Sequence, residues 1–256
     1  MLQKTHIRIA KALFRKLNLP REYEKIFVEA IIEPDNWRRN PRFKHHYFQY
    51  SIVLDKIKEA RRAYITGDIS TSLRCLGIAL HFIQDAFIPS PRTRRLQAIH
   101  DRLERNLEFL TKKASYLLDD AINEGFNVNI PSPPKFIKKC LSEVQWIYDD
   151  ELKLLKETVK TSAMITAAVF GQKAPPNGLR EKYMLLKKNH DKRVSKVSII
   201  SLITIIIISG LTLMTFLDLL TFSLLLFIIF FILVPALTYD EEFYEVKEEA
   251  AWYGME

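Results

Sequence analysis

The sequence predicts an all-α protein, a helical domain followed by a two-helix transmembrane hairpin, and three observations lead there. Apolar residues recur at three- and four-residue spacings through residues 1–196. No stretch alternates with a period of two for long enough to suggest a sheet, and no internal repeat is visible. From 197 to 237 the 41 residues carry one ionisable side chain, Asp218.

The elements follow in order. Thr5 is a plausible cap for a first helix reaching Lys16, with Ile7, Ile9 or Ala10, Leu13, Phe14 and Leu17 on its apolar face. Pro20 starts a second helix to about residue 32, where Glu33-Pro34-Asp35-Asn36 should break it. Further helices are expected at about 43–65, 69–87, 92–124 and 134–170, separated by Gly67-Asp68, Pro89-Ser90-Pro91, the stretch from Gly125 to Pro134, and Gly171 to Gly178. A last helix from about Leu179 can run into the first span without a break. Only 7 glycines in 256 residues agree with long helices and short loops, and about 190 residues can bury a sizeable core.

Composition narrows the class. With 48% hydrophobic residues the chain is not disordered, collagen-like or disulfide-stapled. Cys75 and Cys140 stand alone among apolar or helix-forming residues, so neither a disulfide framework nor a thiolate zinc site is expected. Charge is unevenly spread. Residues 1–196 hold 37 basic and 22 acidic side chains (+15), and residues 197–256 hold 1 and 8 (−7).

A helix needs about 20 apolar residues to cross the bilayer, so 41 suffice for two spans, placed at about 197–216 and 219–237 with Asp218 at the tip of the hairpin. The basic run 187–196 precedes the first span, whereas the tip has no basic residue, which puts both flanks on the cytoplasmic side. Charges interrupt the N-terminal MLQKTHIRIAKALFRK every few residues, unlike a secretory signal. The expectation is an integral protein of the cell membrane with domain 1–190, membrane segment 191–238, and an acidic cytoplasmic tail 239–256. Tyr239, Tyr244 and Trp252 suit a tail helix at the interface or on the domain, and a solvated tail is the alternative.

Two of the six histidines have a carboxylate four residues later, His81 with Asp85 and His100 with Glu104, which puts each pair on one helix face. Such pairs suit a divalent cation. His81 and Asp85 lie in the otherwise apolar CLGIALHFIQDAFIP, where a buried carboxylate needs a cation or several donors. A hydrogen-bonded core Asp and a satisfied core His are the alternative reading.

The ordered series T5-H6-x-x-I9-A10, E33-P34-D35, H45-H46-Y47, H81-x-x-x-D85 and H100-x-x-x-E104 resembles the zinc-dependent phospholipase C family, related to the S1/P1 nucleases, over roughly residues 5–105. The resemblance implies an all-helical domain holding one to three zinc ions that hydrolyse phosphodiesters. It implies ligands at His6, at His46 or His45, at His81 and Asp85 with the carboxylate bridging two ions, and at His100 and Glu104. Asp35 would orient or deprotonate the attacking water. Two positions depart from the family: Pro91 stands where another histidine ligand is usual, and Met1 where a processed N-terminal tryptophan binds zinc. Met1 is five residues before His6, as in the nuclease branch, so a free terminal amine can substitute.

Zinc lowers the pKa of a bound water to about 7, so no protein nucleophile is required, and no GxSxG, GxxxxGK[ST] or HExxH motif occurs. The basic stretches 37–46, 91–95 and 187–196 fit phosphates of either nucleic acid, with Trp37 and Phe43 as stacking platforms, or anionic phospholipid headgroups. The hairpin favours lipid. The expected protein is a membrane-anchored zinc phosphodiesterase acting on a phospholipid-like substrate; the alternative is a catalytically degenerate metal-binding membrane protein. His190 is read as a surface histidine.

Overall fold

In the computed structural model of the chain, residues 1–37, 49–215, 224, 226, 228 and 234–255 are described, and the regular structure among them is all helical. The order is α1 (Gln3–Lys16), α2 (Glu22–Asn36), α3 (Tyr50–Thr66), α4 (Ile69–Ala86), α5 (Arg94–Lys113), α6 (Ser115–Phe126), α7 (Pro133–Ser142), α8 (Glu151–Phe170), α9 (Leu179–Thr215), α10 (Val234–Thr238) and α11 (Glu241–Trp252). The all-α class is as expected. Backbone contacts divide the chain into one unit of Met1–Lys173 with Trp252–Gly254 and another of Ala174–Ala251 with Met255–Glu256. The division falls inside the expected 1–190 domain.

In the first unit α4 is the central element. Gly67 ends α3 at φ 87, a left-handed conformation that suits glycine, and the Asp68 side chain then caps α4 by accepting the Thr71 amide at 3.0 Å. Most of the α4 side chains from Ser72 to Ala86 are buried, against α2 and α3. Gly77 permits this closeness: a Cβ there would lie 2.8 Å from that of Ala30 on α2. Ile9, Leu13, Phe27, Ile57, Leu80 and Leu103, all fully buried, join α1 to α5 in one core. Cys75 and Cys140 are free and buried, and burial pushes each thiol up to about 11, as fits passive core residues.

Arg61 on α3 is the largest fully buried side chain. Its guanidinium donates to the carbonyls of Val169 (2.9 Å), Gly171 (3.2 Å) and Gln172 (2.6 Å) at the C-terminal end of α8, and to that of Trp252 (3.0 Å). The rings of Tyr64, Trp252 and Tyr253 lie within 5.6 Å of it. A buried cation is thus balanced by the negative end of a helix dipole and by aromatic faces.

Several helix limits differ from expectation. The first helix begins at Gln3, so Thr5 is a buried interior residue and not its cap. Pro34 does not break α2 but sits in its last turn, so the bond it cannot make and the crowding of its ring fall at the end of the helix. The helix expected at 92–124 is two, because the Ala114 backbone (φ −125, ψ 60) leaves the helical region between α5 and α6. The helix expected at 134–170 is also two: α7 stops at Ser142, and Asp150 starts α8 by accepting the Lys153 amide at 2.9 Å. Residues 43–48 lie outside the described residues.

In the second unit the acidic α11 pairs with the basic α9 through Lys182 to Glu242 (2.9 Å), and Asp240, the residue before α11, pairs with Arg193 (3.3 Å). His190 is not a simple surface residue, since it is half-buried and its ring stacks on Phe243 with centroids 4.1 Å apart. Among the described residues no helix is long and apolar enough to cross a membrane. The expected tip at Asp218 and much of the second expected span fall outside the described residues.

Candidate metal centre

The cluster is built where α1, α2, α4 and α5 of the first unit bring imidazoles and carboxylates together. His81 and Asp85 are one turn apart on α4, and Nε2 of His81 lies 3.4 Å from Oδ2 of Asp85. The other oxygen, Oδ1, lies 3.2 Å from Nε2 of His6 on α1. The two rings stack with centroids 4.5 Å apart. One ligand atom from each of His6, His81 and Asp85 falls within 4.8 Å of the others. Asp35, buried in the last turn of α2, brings Oδ1 to 4.0 Å from Nε2 of His81.

A second pair adjoins the first. Thr93 caps α5 by accepting the Leu96 amide at 3.2 Å, and along that helix Nε2 of His100 lies 3.2 Å from Oε1 of Glu104. The terminal amine of Met1 links the pairs: it hydrogen-bonds Asp85 and lies 3.0 Å from Glu104. The Met1 amine thus joins the His6, His81 and Asp85 group to His100 and Glu104, with Asp35 beside His81. His46 and His45 lie outside the described residues.

Each histidine is oriented from behind. Nδ1 of His81 donates to the carbonyl of Ile31 at 2.8 Å and Nδ1 of His100 to that of Pro89 at 2.9 Å. Gly77 makes the first of these bonds possible, because the close approach of α2 to α4 carries Ile31 to His81 one turn away. Nδ1 of His6 donates to Oε1 of Gln84 at 2.7 Å. With the proton held on Nδ1, Nε2 of His6 and of His81 keeps its lone pair toward Asp85, the arrangement of a metal-ligating imidazole. Nε2 of His6 and of His81 are buried and have no hydrogen-bond partner.

The electrostatics agree. Burial pushes the His81 imidazole down to about 3, outweighing the neighbouring carboxylate, so it is neutral at physiological pH. Burial alone would raise Asp85, but the Met1 amine and the two histidines hold it well below the usual carboxylate range. Glu104 is likewise opposed by burial, yet the His100 hydrogen bond and the Met1 amine pull it down to about 2. Conversely, burial disfavours charge on His100 and on the Met1 amine, and the adjoining acids win, raising both. Two buried imidazole lone pairs beside an ionised carboxylate are the chemistry of a site for a divalent cation.

No family model, curated protein or solved structure matches the chain. The centre stands on its own geometry. Gln84 and Ser162 belong to it yet escape a search of the sequence for charged and ligating residues; the only signal is a third polar side chain in the apolar α4 segment.

Proposed function

We propose that the chain is a membrane-anchored, zinc-dependent phosphodiester hydrolase similar to phospholipase C, acting on a phospholipid-like substrate. One observation carries the reading: two buried, partnerless Nε2 atoms flank the two oxygens of a single ionised carboxylate. His6, His81 and Asp85 would hold one ion, and His100, Glu104 and the Met1 amine offer donors for another. A divalent cation supplies a more acidic water and positive charge for a phosphoryl oxygen. Asp35, 4.0 Å from His81, would orient the attacking water and take its proton.

Membrane attachment rests on the apolar run 197–237, which carries one ionisable side chain. Within α9, Ile199, Ile200, Leu202, Ile203, Ile206 and Ile207 are each more than half exposed, a surface suited to lipid and costly in water. A domain tied to a bilayer meets anionic headgroups before nucleic acid, and the basic stretches 91–95 and 187–196 suit them. The cytoplasmic placement of both flanks follows from the same basic run.

Pro91, in the place of a ligand histidine, favours a second reading: a non-catalytic relative that keeps its metal for stability or partner binding. Full-length protein in micelles, assayed on a chromogenic phosphocholine ester and on single-stranded DNA, separates the readings. The proposal expects chelator-sensitive ester cleavage that falls about 10²–10⁴-fold in Asp35→Asn with zinc retained. Zinc binding without hydrolysis supports the second reading, and salt-sensitive cleavage confined to DNA indicates a nuclease.

A further inference from the structure

We infer that Gln84 and Ser162 are positioning residues that set which nitrogen of His6 carries its proton, and thereby keep Nε2 of His6 open to a divalent cation. This deepens the metal-centre reading and rests on it.

The proton directions can be followed link by link through the core. The Ser162 hydroxyl on α8 donates to the carbonyl of Thr158, one turn back, at 2.8 Å. Its proton is thus used, and its oxygen accepts from Nε2 of Gln84 at 3.2 Å. A Gln84 amide that points its nitrogen at Ser162 points its oxygen the other way, at Nδ1 of His6, 2.7 Å distant. Nδ1 must then carry the hydrogen, because an amide oxygen only accepts. Nε2 of His6 is left with a bare lone pair 3.2 Å from Oδ1 of Asp85.

Gln84, Ser162 and His6 are all fully or almost fully buried, so water does not relax the choice. Reversing the chain of bonds would put a hydrogen on Nε2, give Asp85 a donor and close the position to a metal ion. The other two histidines are fixed by backbone carbonyls, which have one polarity. His6 alone of the three depends on a side-chain amide, which has two.

The test uses full-length protein in micelles, with cobalt(II) as the probe metal and the His6 tautomer read from long-range proton–nitrogen NMR couplings in metal-free protein. Wild type should show hydrogen on Nδ1. Ser162→Ala should populate the Nε2–H tautomer and weaken cobalt binding several-fold; Gln84→Leu should weaken it by about 10–100-fold. Gln84→Glu, which still accepts from Nδ1, should retain the tautomer and the cobalt spectrum. Ser162→Ala removes one oxygen atom and serves if Gln84→Leu does not fold. Hydrogen on Nε2 in wild type, or a tautomer and cobalt affinity unchanged in both Ser162→Ala and Gln84→Leu, overturns the inference. Loss of the tautomer in the variants with no cobalt bound by wild type supports the relay and overturns the metal reading.

Discussion

Nε2 of His81 faces Oδ2 of Asp85 at 3.4 Å without donating to it, because the single proton of the ring is held on Nδ1 by the carbonyl of Ile31. The pair is therefore a neutral imidazole beside a carboxylate, held ready for a cation.

That neutrality predicts acid sensitivity. His81 takes a proton near its usual 6.5 when unfolded but only at about 3 when folded. Between those values the unfolded chain binds more protons, so stability falls as pH falls, by up to about 1.4 kcal/mol per pH unit. The depressed Asp85 and Glu104 add stability above their unfolded values and lose it in the more acidic range. The melting temperature of metal-free protein should drop steadily from pH 6.5 to pH 4, and His81→Gln should flatten that slope. An equal slope in the variant would assign the acid sensitivity elsewhere.

The Met1 amine predicts a second pH effect. In a chain that begins at Met1, the neighbouring acids keep this amine protonated above its usual 8.0 despite burial, and His100 is raised as well. A divalent cation can use the amine only after its proton leaves. Zinc uptake at pH 7.5 should release protons, visible as a dependence of binding heat on the ionisation enthalpy of the buffer. Affinity should rise with pH, about tenfold per unit for each proton displaced. Binding heats independent of the buffer would exclude the Met1 amine as a ligand.

Gly77→Ala sets two effects against each other. Alanine favours a helix interior over glycine by up to about 1 kcal/mol. The new methyl, however, would meet Ala30 at 2.8 Å and the Ile31 backbone nitrogen at 3.1 Å, and overpacking of this kind costs about 1–3 kcal/mol. The clash should win because backbone cannot step aside. Calorimetry should show a lower melting temperature, and cobalt affinity should fall with it as Ile31 is pushed from His81. A more stable variant would mean that α2 and α4 are looser than described.

For Arg61 the expected outcome is loss of the fold's tie to the end of α8. Arg61→Leu strands several buried carbonyls at about 1–3 kcal/mol each. Arg61→Lys keeps the charge but not the planar fork, and should recover less than half of the loss in urea unfolding. Full recovery by lysine would show that charge alone matters.

The legible parts of this molecule are those carried by local spacing. His81 and Asp85 announce themselves one turn apart in an apolar helix, and Gly67-Asp68 marks a helix end and a cap by residue type alone. The meeting of His6, Asp85 and Glu104 is long-range and cannot be read from periodicity; it became an expectation only through an ordered resemblance. Gln84 and Ser162 are neutral polar side chains and carry no motif. No proline or glycine marks the breaks at Ala114 and between Ser142 and Glu151, so periodicity runs through both, although Asp150 is a capping residue. Pro34 misled in the opposite direction, since a last-turn proline is compatible with a helix.

The central claim is that His6, His81 and Asp85 hold a divalent cation. Elemental analysis of full-length protein expressed with ample zinc tests it most directly, beside a His81→Ala, Asp85→Ala double variant shown to fold by circular dichroism. The account predicts at least one tightly held zinc per wild-type chain and fewer in the variant. Near-zero zinc in the wild type, or equal zinc in both, would contradict it.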